Sequence, residues 1–310
     1  MKIAINTDFY TSTGDPAPSL RAIADAGFTH IMWCHHWNTD FLYTAPEYRR
    51  IKELLKENDL ILQDIHGSSG VEKCWFSTDE SCRQAGVLLV KNRLEMMQEL
   101  SATGVLTMHG PFFSKDLPER REQDARQFDQ VRKSLDELMP LLEKYDTAIA
   151  VENLIGDTWE MLEELLATYP AERFGITFDA GHSHIYISPG WEFFCKWKDR
   201  ILALHLHDND STEDKHQPPF YGSIDWDALT KVLAGSSYNA PLSFEISMRC
   251  TPFAHTEDLR NPPPEKIEAF MTDAYERCVR VHKFFEFYQK KLKKNIKKSL
   301  SFSEKSTIIA

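Results

Sequence analysis

The chain has 310 residues, 42% of them hydrophobic, which is enough to bury a substantial core, and a single α/β barrel of roughly 250 residues fits within it. Its formal charge of −11 is uneven: residues 290–310 hold seven lysines against Glu304, leaving −17 on residues 1–289, which disfavours extended nucleic acid as a partner. The six cysteines are scattered without a Cys-x-x-Cys pair, which argues against a disulfide framework or a thiolate zinc site, and no apolar run approaches the ~20 residues that span a bilayer.

From the N-terminus, residues 2–6 alternate as a strand with no apolar leader before them, so a cytoplasmic location and no membrane contact are expected. A helix is predicted over Pro18 to Ala26, stopped by Gly27, then a strand over Phe28 to Trp33 and a helix over Pro46 to Asn58. The run Asp59 to His66 is a strand, Glu80 to Ala102 a helix, and Val105 to His109 a strand again. A helix over Arg121 to Tyr145, a strand over Ala148 to Glu152 and a helix over Thr158 to Thr168 follow. The segment Phe174 to Asp179 is β-branched and aromatic, and opens into Gly181, His182 and His184. A short helix over Trp191 to Trp197 precedes a strand over Ile201 to Asp208. Helix Ile224 to Ala234, strand Pro241 to Glu245 and helix Glu265 to Tyr288 complete eight β/α units. That count points to a (β/α)₈ TIM barrel rather than an open doubly wound sheet.

Parallel strands of a closed barrel end on one face, and strands three to eight end here in His66, His109, Glu152, Asp179, His205 and Glu245. One histidine at a strand end is ordinarily a structural residue. Six nitrogen and oxygen ligands on consecutive strands point to a divalent metal site at the barrel mouth. Asp214 and His216, followed by Pro218 and Pro219, read as a loop folded back toward the same mouth.

The linked motifs Glu152-Asn153-x-x-Gly156, Phe178-Asp179-x-x-His182, His205-Leu206-x-Asp208, Asp214-x-His216 and the strand-end Glu245 resemble those of the xylose-isomerase-like barrel superfamily. That superfamily contains sugar phosphate isomerases/epimerases and endonuclease-IV-type apurinic endonucleases. The resemblance covers about residues 1–289. Its epimerase branch implies one divalent ion (Mn, Mg, Co or Zn) on Glu152, Asp179, His205 and Glu245. It also implies a two-glutamate proton transfer through a metal-stabilised enediolate, with His182 orienting a substrate oxygen. The chemistry is consistent: a C–H beside a carbonyl is too weakly acidic for a carboxylate alone, so a Lewis acid must share the charge. The endonuclease-IV branch implies up to three zinc ions, with His66, His109, His182, Asp214 and His216 as additional ligands. All nine residue types are present.

The resulting expectation is a metal-dependent isomerase or epimerase acting on a small carbohydrate, phosphorylated or not. The alternatives are a multinuclear zinc phosphodiesterase and, third, a non-catalytic carbohydrate-binding barrel. The acidic body and the acidic loop Asp208 to Asp214 weigh against DNA repair. His66, His109, Lys115, Arg249 and Trp33 are expected to contact substrate, with His35, His36 and Trp37 beside Trp33 as an aromatic rim. Trp226 is expected to pack. Residues 1–289 read as one catalytic domain and 290–310 as a basic tail extending the last helix; a homo-oligomer is allowed.

Overall fold

A computed structural model describes residues 1–68, 70, 72–111, 121–155, 159–185, 190–254 and 262–307, with side chains undescribed at 121, 160 and 296–307. Eight parallel strands alternate with helices: β1 (Ile3–Asn6), β2 (His30–Trp33), β3 (Ile61–His66), β4 (Leu106–Met108), β5 (Ile149–Glu152), β6 (Phe174–Asp179), β7 (Ile201–His205) and β8 (Leu242–Phe244). The hydrogen-bonded order is β7-β6-β5-β4-β3-β2-β1-β8. The barrel closes through a parallel bridge between Leu206 and Phe244, with Leu206 N–H donating to the Ser243 carbonyl and Glu245 N–H to that of Leu206, both at 3.1 Å.

The helices are α1 (Ala17–Ala26), α2 (Ala45–Glu57), α3 (Glu80–Leu100), α4 (Arg121–Tyr145), α5 (Trp159–Thr168), α6 (Ala180–His184), α7 (Gly190–Trp197), α8 (Trp226–Ala234) and α9 (Pro264–Thr307). Local chemistry sets their ends. Gly27 takes a left-handed φ of 102° to stop α1, and Thr44 N–H donates to Glu47 at 2.7 Å at the start of α2. Asp79 and Asp225 accept from Cys82 N–H (2.8 Å) and Ala228 N–H (3.0 Å) to begin α3 and α8. The strand expected from Asp59 begins instead at Ile61, because Asp59 turns the chain at φ 53°.

The core is the sheet's two faces: the barrel interior, and the apolar layer between strands and helices, where Phe178 stacks on Phe194 (4.1 Å) and Ile149, Leu162, Phe244 and Phe270 are fully buried. Burying a side chain of that size contributes about 1.5–3 kcal/mol. Trp226 packs as expected, 2% exposed. Lys115 and Gly156 lie outside the described residues. All six cysteines are free thiols, and among the described residues no helix is long and apolar enough to cross a membrane.

Candidate metal centre

Strand register delivers the first ligand-type groups. Asp179 on β6 pairs with His205 on β7, and Glu152 pairs with Thr177, two residues before Asp179 on β6, so Glu152, Asp179 and His205 come from the same ends of three adjacent strands. Glu245 joins them from the end of β8. Their ligand atoms, one from each residue, lie within 4.8 Å of one another, and all four residues are buried. His205 Nδ1 sits between two glutamates, 3.1 Å from Glu152 Oε2 and 3.0 Å from Glu245 Oε2.

Three further groups overlap or flank this one, the first of them formed by His66 with His205 and Glu245. His66 Nε2 and His109 Nε2 approach Glu152 Oε2 at 3.6 and 3.3 Å, so Glu152 is shared between groups. On the other side His182, His207, Asp214 and His216 converge. Asp214 Oδ2 lies 3.2 Å from His182 Nε2 and 3.1 Å from His216 Nε2. His207 Nε2 is 3.0 Å from Asp179, and its ring stacks on that of His216 at 4.0 Å and 6°.

The tautomers argue for a cation. His66 Nδ1 faces the Gly67 carbonyl at 3.0 Å, His182 Nδ1 that of Asn153 at 2.9 Å, and His216 Nδ1 that of Glu245 at 3.2 Å. A carbonyl only accepts, so each Nδ1 carries the proton and each neutral ring turns an Nε2 lone pair inward, the arrangement of metal-ligating histidines. Asp214 then faces two lone pairs at about 3 Å, which only a proton or a metal between them makes favourable. Glu152 Oε2, both nitrogens of His205 and His207 Nδ1 are moreover buried without a hydrogen-bond partner. The residues therefore fit a divalent ion, and the nitrogen and oxygen donors suit Mn, Co or Zn as well as Mg.

Without a metal, protons take its place. Burial opposes charge on every group here, but at Glu152 the histidines His205, His109 and His182 outweigh it and hold the carboxyl well below its usual range. Glu245 is likewise lowered, burial being overcome by His205 and His216. Conversely, His182 and His205 are raised well above the usual imidazole value, burial being outweighed at His182 by Asp179, Asp214 and Glu152 and at His205 by Glu245 and Glu152. His216 rises to about 9 because Asp214 and Glu245 overcome its burial.

The scaffold beneath is specific. Asp179 accepts from His182 N–H at 2.6 Å, capping α6 and fixing His182 over it, while Asn153 bridges β5 and β6 through Asp179 main-chain N–H and C=O. A Cβ on Gly181 would stand 1.8 Å from the His207 ring, so only glycine lets that ring lie against α6. The loop after β7 doubles back as expected: Asp208 and Gln217 exchange main-chain hydrogen bonds of 2.7 and 3.0 Å, and Ser247 N–H donates to His216 C=O.

A cavity of about 260 Å³ opens beside Glu245 and His216, walled by Asp8, Tyr10, Trp37, Ser247 and the exposed Arg249. Trp33 does not reach this cavity. It is 1% exposed, its indole donating to Tyr43 at 2.9 Å, because it points into the layer behind the barrel wall with His35. Trp37 lines this cavity, with ring centroids 4.7 Å from His66 and 5.6 Å from His109 and its Nε1–H on Asp8 at 3.1 Å. His207 and Asp8 were absent from the sequence expectation. His207 follows His205 by two on the same strand line, so period-two alternation places both inward. Asp8 follows β1 in a segment with no ligand motif.

Fold and constellation define a closed parallel barrel with a carboxylate–histidine mouth able to hold divalent cations. Residues 20–271 match the family model for the xylose isomerase-like TIM barrel, and the chain belongs to that family. It is 30% identical over 253 residues to the uncharacterized protein y4fM of Sinorhizobium fredii, covering 74% of this chain and 80% of that one. It is 27% identical over 179 residues to the uncharacterized protein MJ1311 of Methanocaldococcus jannaschii, covering 54% and 59%. Among solved structures, a D-tagatose 3-epimerase-like protein superposes with a TM-score of 0.71 at 20% identity, covering 94% of this chain and 100% of that chain. The 3-keto-D-glucoside 4-epimerase YcjR of E. coli gives 0.67 at 17%, covering 91% and 100%, and an L-ribulose 3-epimerase 0.68 at 15%, covering 94% and 97%. At these identities the likeness is one of fold.

Proposed function

We propose that the chain is a divalent-metal-dependent isomerase or epimerase of a small carbohydrate. The observation that carries the reading is the pair of buried glutamates, Glu152 and Glu245, held on either side of His205 at 3.1 and 3.0 Å, with Glu245 lining a cavity of about 260 Å³, the scale of a small molecule. Glu152, Asp179, His205 and Glu245 would hold the ion, which supplies stabilisation of the negative charge that builds on a substrate oxygen as the adjacent carbon loses its proton. Both glutamates are held ionised by their histidines, as a base requires. One takes the C–H proton; the other, protonated from water beforehand, delivers its proton to the opposite face of the carbon or to its neighbour, and the first then returns its proton to water. His182, pinned by Asn153 and Asp214, orients the oxygen. Trp37 covers His66 and His109 and shields the reacting carbon from water, and Arg249 holds any anionic end of the substrate.

A second reading, multinuclear zinc phosphodiester hydrolysis, is favoured by one observation: four adjacent or overlapping ligand groups, two of which share Glu152. One experiment separates the two. Elemental analysis of protein purified without chelator, followed by a ketose panel in deuterated water, is expected to find deuterium entering the substrate carbon. Glu152→Gln and Glu245→Gln should each abolish that exchange, a loss of at least about 10³-fold for removal of an acid/base group. Exchange surviving in both variants would sink the proton-transfer mechanism. Three zinc ions per chain with no ketose turned over would bring phosphodiester hydrolysis forward, and His216→Ala should then lower the zinc content.

A further inference from the structure

The C-terminal helix does more than close the barrel. α9 runs for 44 residues, about 66 Å at 1.5 Å per residue, and packs its inner face on α1 and α8. Toward its end Tyr288 ties it to α8, the hydroxyl donating to Asp227 at 2.8 Å. From Lys290 to Asn295 every side chain is exposed. A helical extension without tertiary packing is marginal in water, and Lys290 stands three and four residues from Lys293 and Lys294, and Lys291 three from Lys294, where like charges repel. Something of opposite charge is needed to hold it.

The outward face of the same helix offers that charge. Glu265, Glu268, Thr272, Glu276, Arg280, Lys283, Phe287, Lys290 and Lys294 follow one another in steps of three or four and are all exposed, forming one stripe. The stripe is acidic in its first half and basic in its second, with Phe287 58% exposed within it. The helix macrodipole does not account for this, since its effect fades beyond the terminal turns.

We propose that α9 pairs antiparallel with α9 of a second copy of this chain across a two-fold axis between Val279 and Arg280. In that register Glu265 faces Lys294, Glu268 faces Lys291, Thr272 faces Phe287 and Glu276 faces Lys283. The axis repeats each pair, so Glu265, Glu268 and Glu276 each meet a lysine twice, six opposite-charge pairs in all, while Arg280 falls opposite Val279 and Lys290 opposite Ala269, as an isologous interface in this register requires. A polyanionic surface, whether lipid or nucleic acid, would meet the lysines but also the −17 of the preceding chain.

Light scattering during gel filtration of the full chain tests this. The expected result at physiological salt is twice the chain mass of 35.9 kDa, falling to one chain mass near 1 M salt, where charges are screened within ~3 Å. The triple variants Glu265→Lys/Glu268→Lys/Glu276→Lys and Lys283→Glu/Lys291→Glu/Lys294→Glu should each run as monomers. Mixed together they should regain the doubled mass, because one is basic wherever the other is acidic. That rescue also shows that both variants are folded. A monomeric native chain, a dimer indifferent to both reversals, or a mixture that stays monomeric would overturn the pairing. So would a native monomer that binds anionic phosphatidylserine vesicles or duplex DNA and loses that binding on lysine reversal.

Discussion

Beneath the mouth, Asp64 on β3 is 2% exposed and two residues from His66, so both side chains face the barrel interior. Its Oδ1 has no hydrogen-bond partner, and burial, reinforced by Glu245 and opposed by His205 and His66, pushes its carboxyl up to about 7. An acid raised from 3.8 to about 7 by folding loses its proton first in the unfolded chain, so stability falls as pH rises through that window and levels off above it. Asp64→Asn keeps the shape and removes the charge. In chelated protein its denaturant midpoint should match the native one near pH 4, then exceed it above pH 7 by a stability on the order of a few kcal/mol. Equal midpoints at both pH values would mean that Asp64 is not held protonated. Gly181 is the opposite kind of residue, chosen for what it lacks, since any Cβ there meets the His207 ring.

At the scale of elements, the segment between β7 and α8 carries three ligand-type residues, His207, Asp214 and His216, and is held by a carboxylate that is not one of them. Asp208 is fully buried and accepts from Phe220 N–H at 2.8 Å, the Trp226 indole at 2.9 Å, Asn209 N–H at 2.9 Å and Ile224 N–H at 3.1 Å. Asp208→Ala would strand those donors, each worth about 1–3 kcal/mol if left unsatisfied, and free Asp214 and His216 from their posts. The expected outcome is a loss of at least about 3 kcal/mol by denaturant unfolding, together with a drop in bound metal. A variant with unchanged metal content would show that the loop is positioned by other contacts. The eight strand–helix units were legible because each strand is a short, mostly apolar run, and the third to eighth lead into a polar ligand type. Glu152, Asp179, His205 and Glu245 were found that way, and Asp214 and His216 by their spacing before Pro218-Pro219. What was hidden depends on side-chain direction: Trp33 and Trp37 look equivalent in sequence, yet four residues of turning chain send one behind the barrel wall and the other over His66. Asp8 and Asp64 carry no motif, and only barrel closure, which brings β1 against β8, sets Asp8 beside Glu245. The short α6 arises from the Asp179 cap and not from any apolar periodicity.

For the whole molecule, the mouth is a charge balance between buried carboxylates and histidines that either protons or metal ions can satisfy. Metal ligation requires neutral imidazoles, so uptake must expel the protons that His182, His205 and His216 hold in the metal-free chain. Calorimetric titration of chelated protein at pH 7 in buffers of different ionisation enthalpy should therefore show net proton release on metal addition. The stabilities then diverge with pH. In the metal-free chain His216, raised from 6.5 to about 9, contributes stability that is complete below pH 6.5 and is lost as pH rises through about 9. Metal binding moves the other way, strengthening over the same interval as competing protons leave, and adds about 2.7 kcal/mol when free metal stands 100-fold above Kd. The gap in melting temperature between loaded and chelated protein should widen steadily from pH 6.5 to 9. A gap that stays constant, with no proton release, would place the ions outside the histidine groups and leave His182, His205 and His216 as structural partners of their carboxylates.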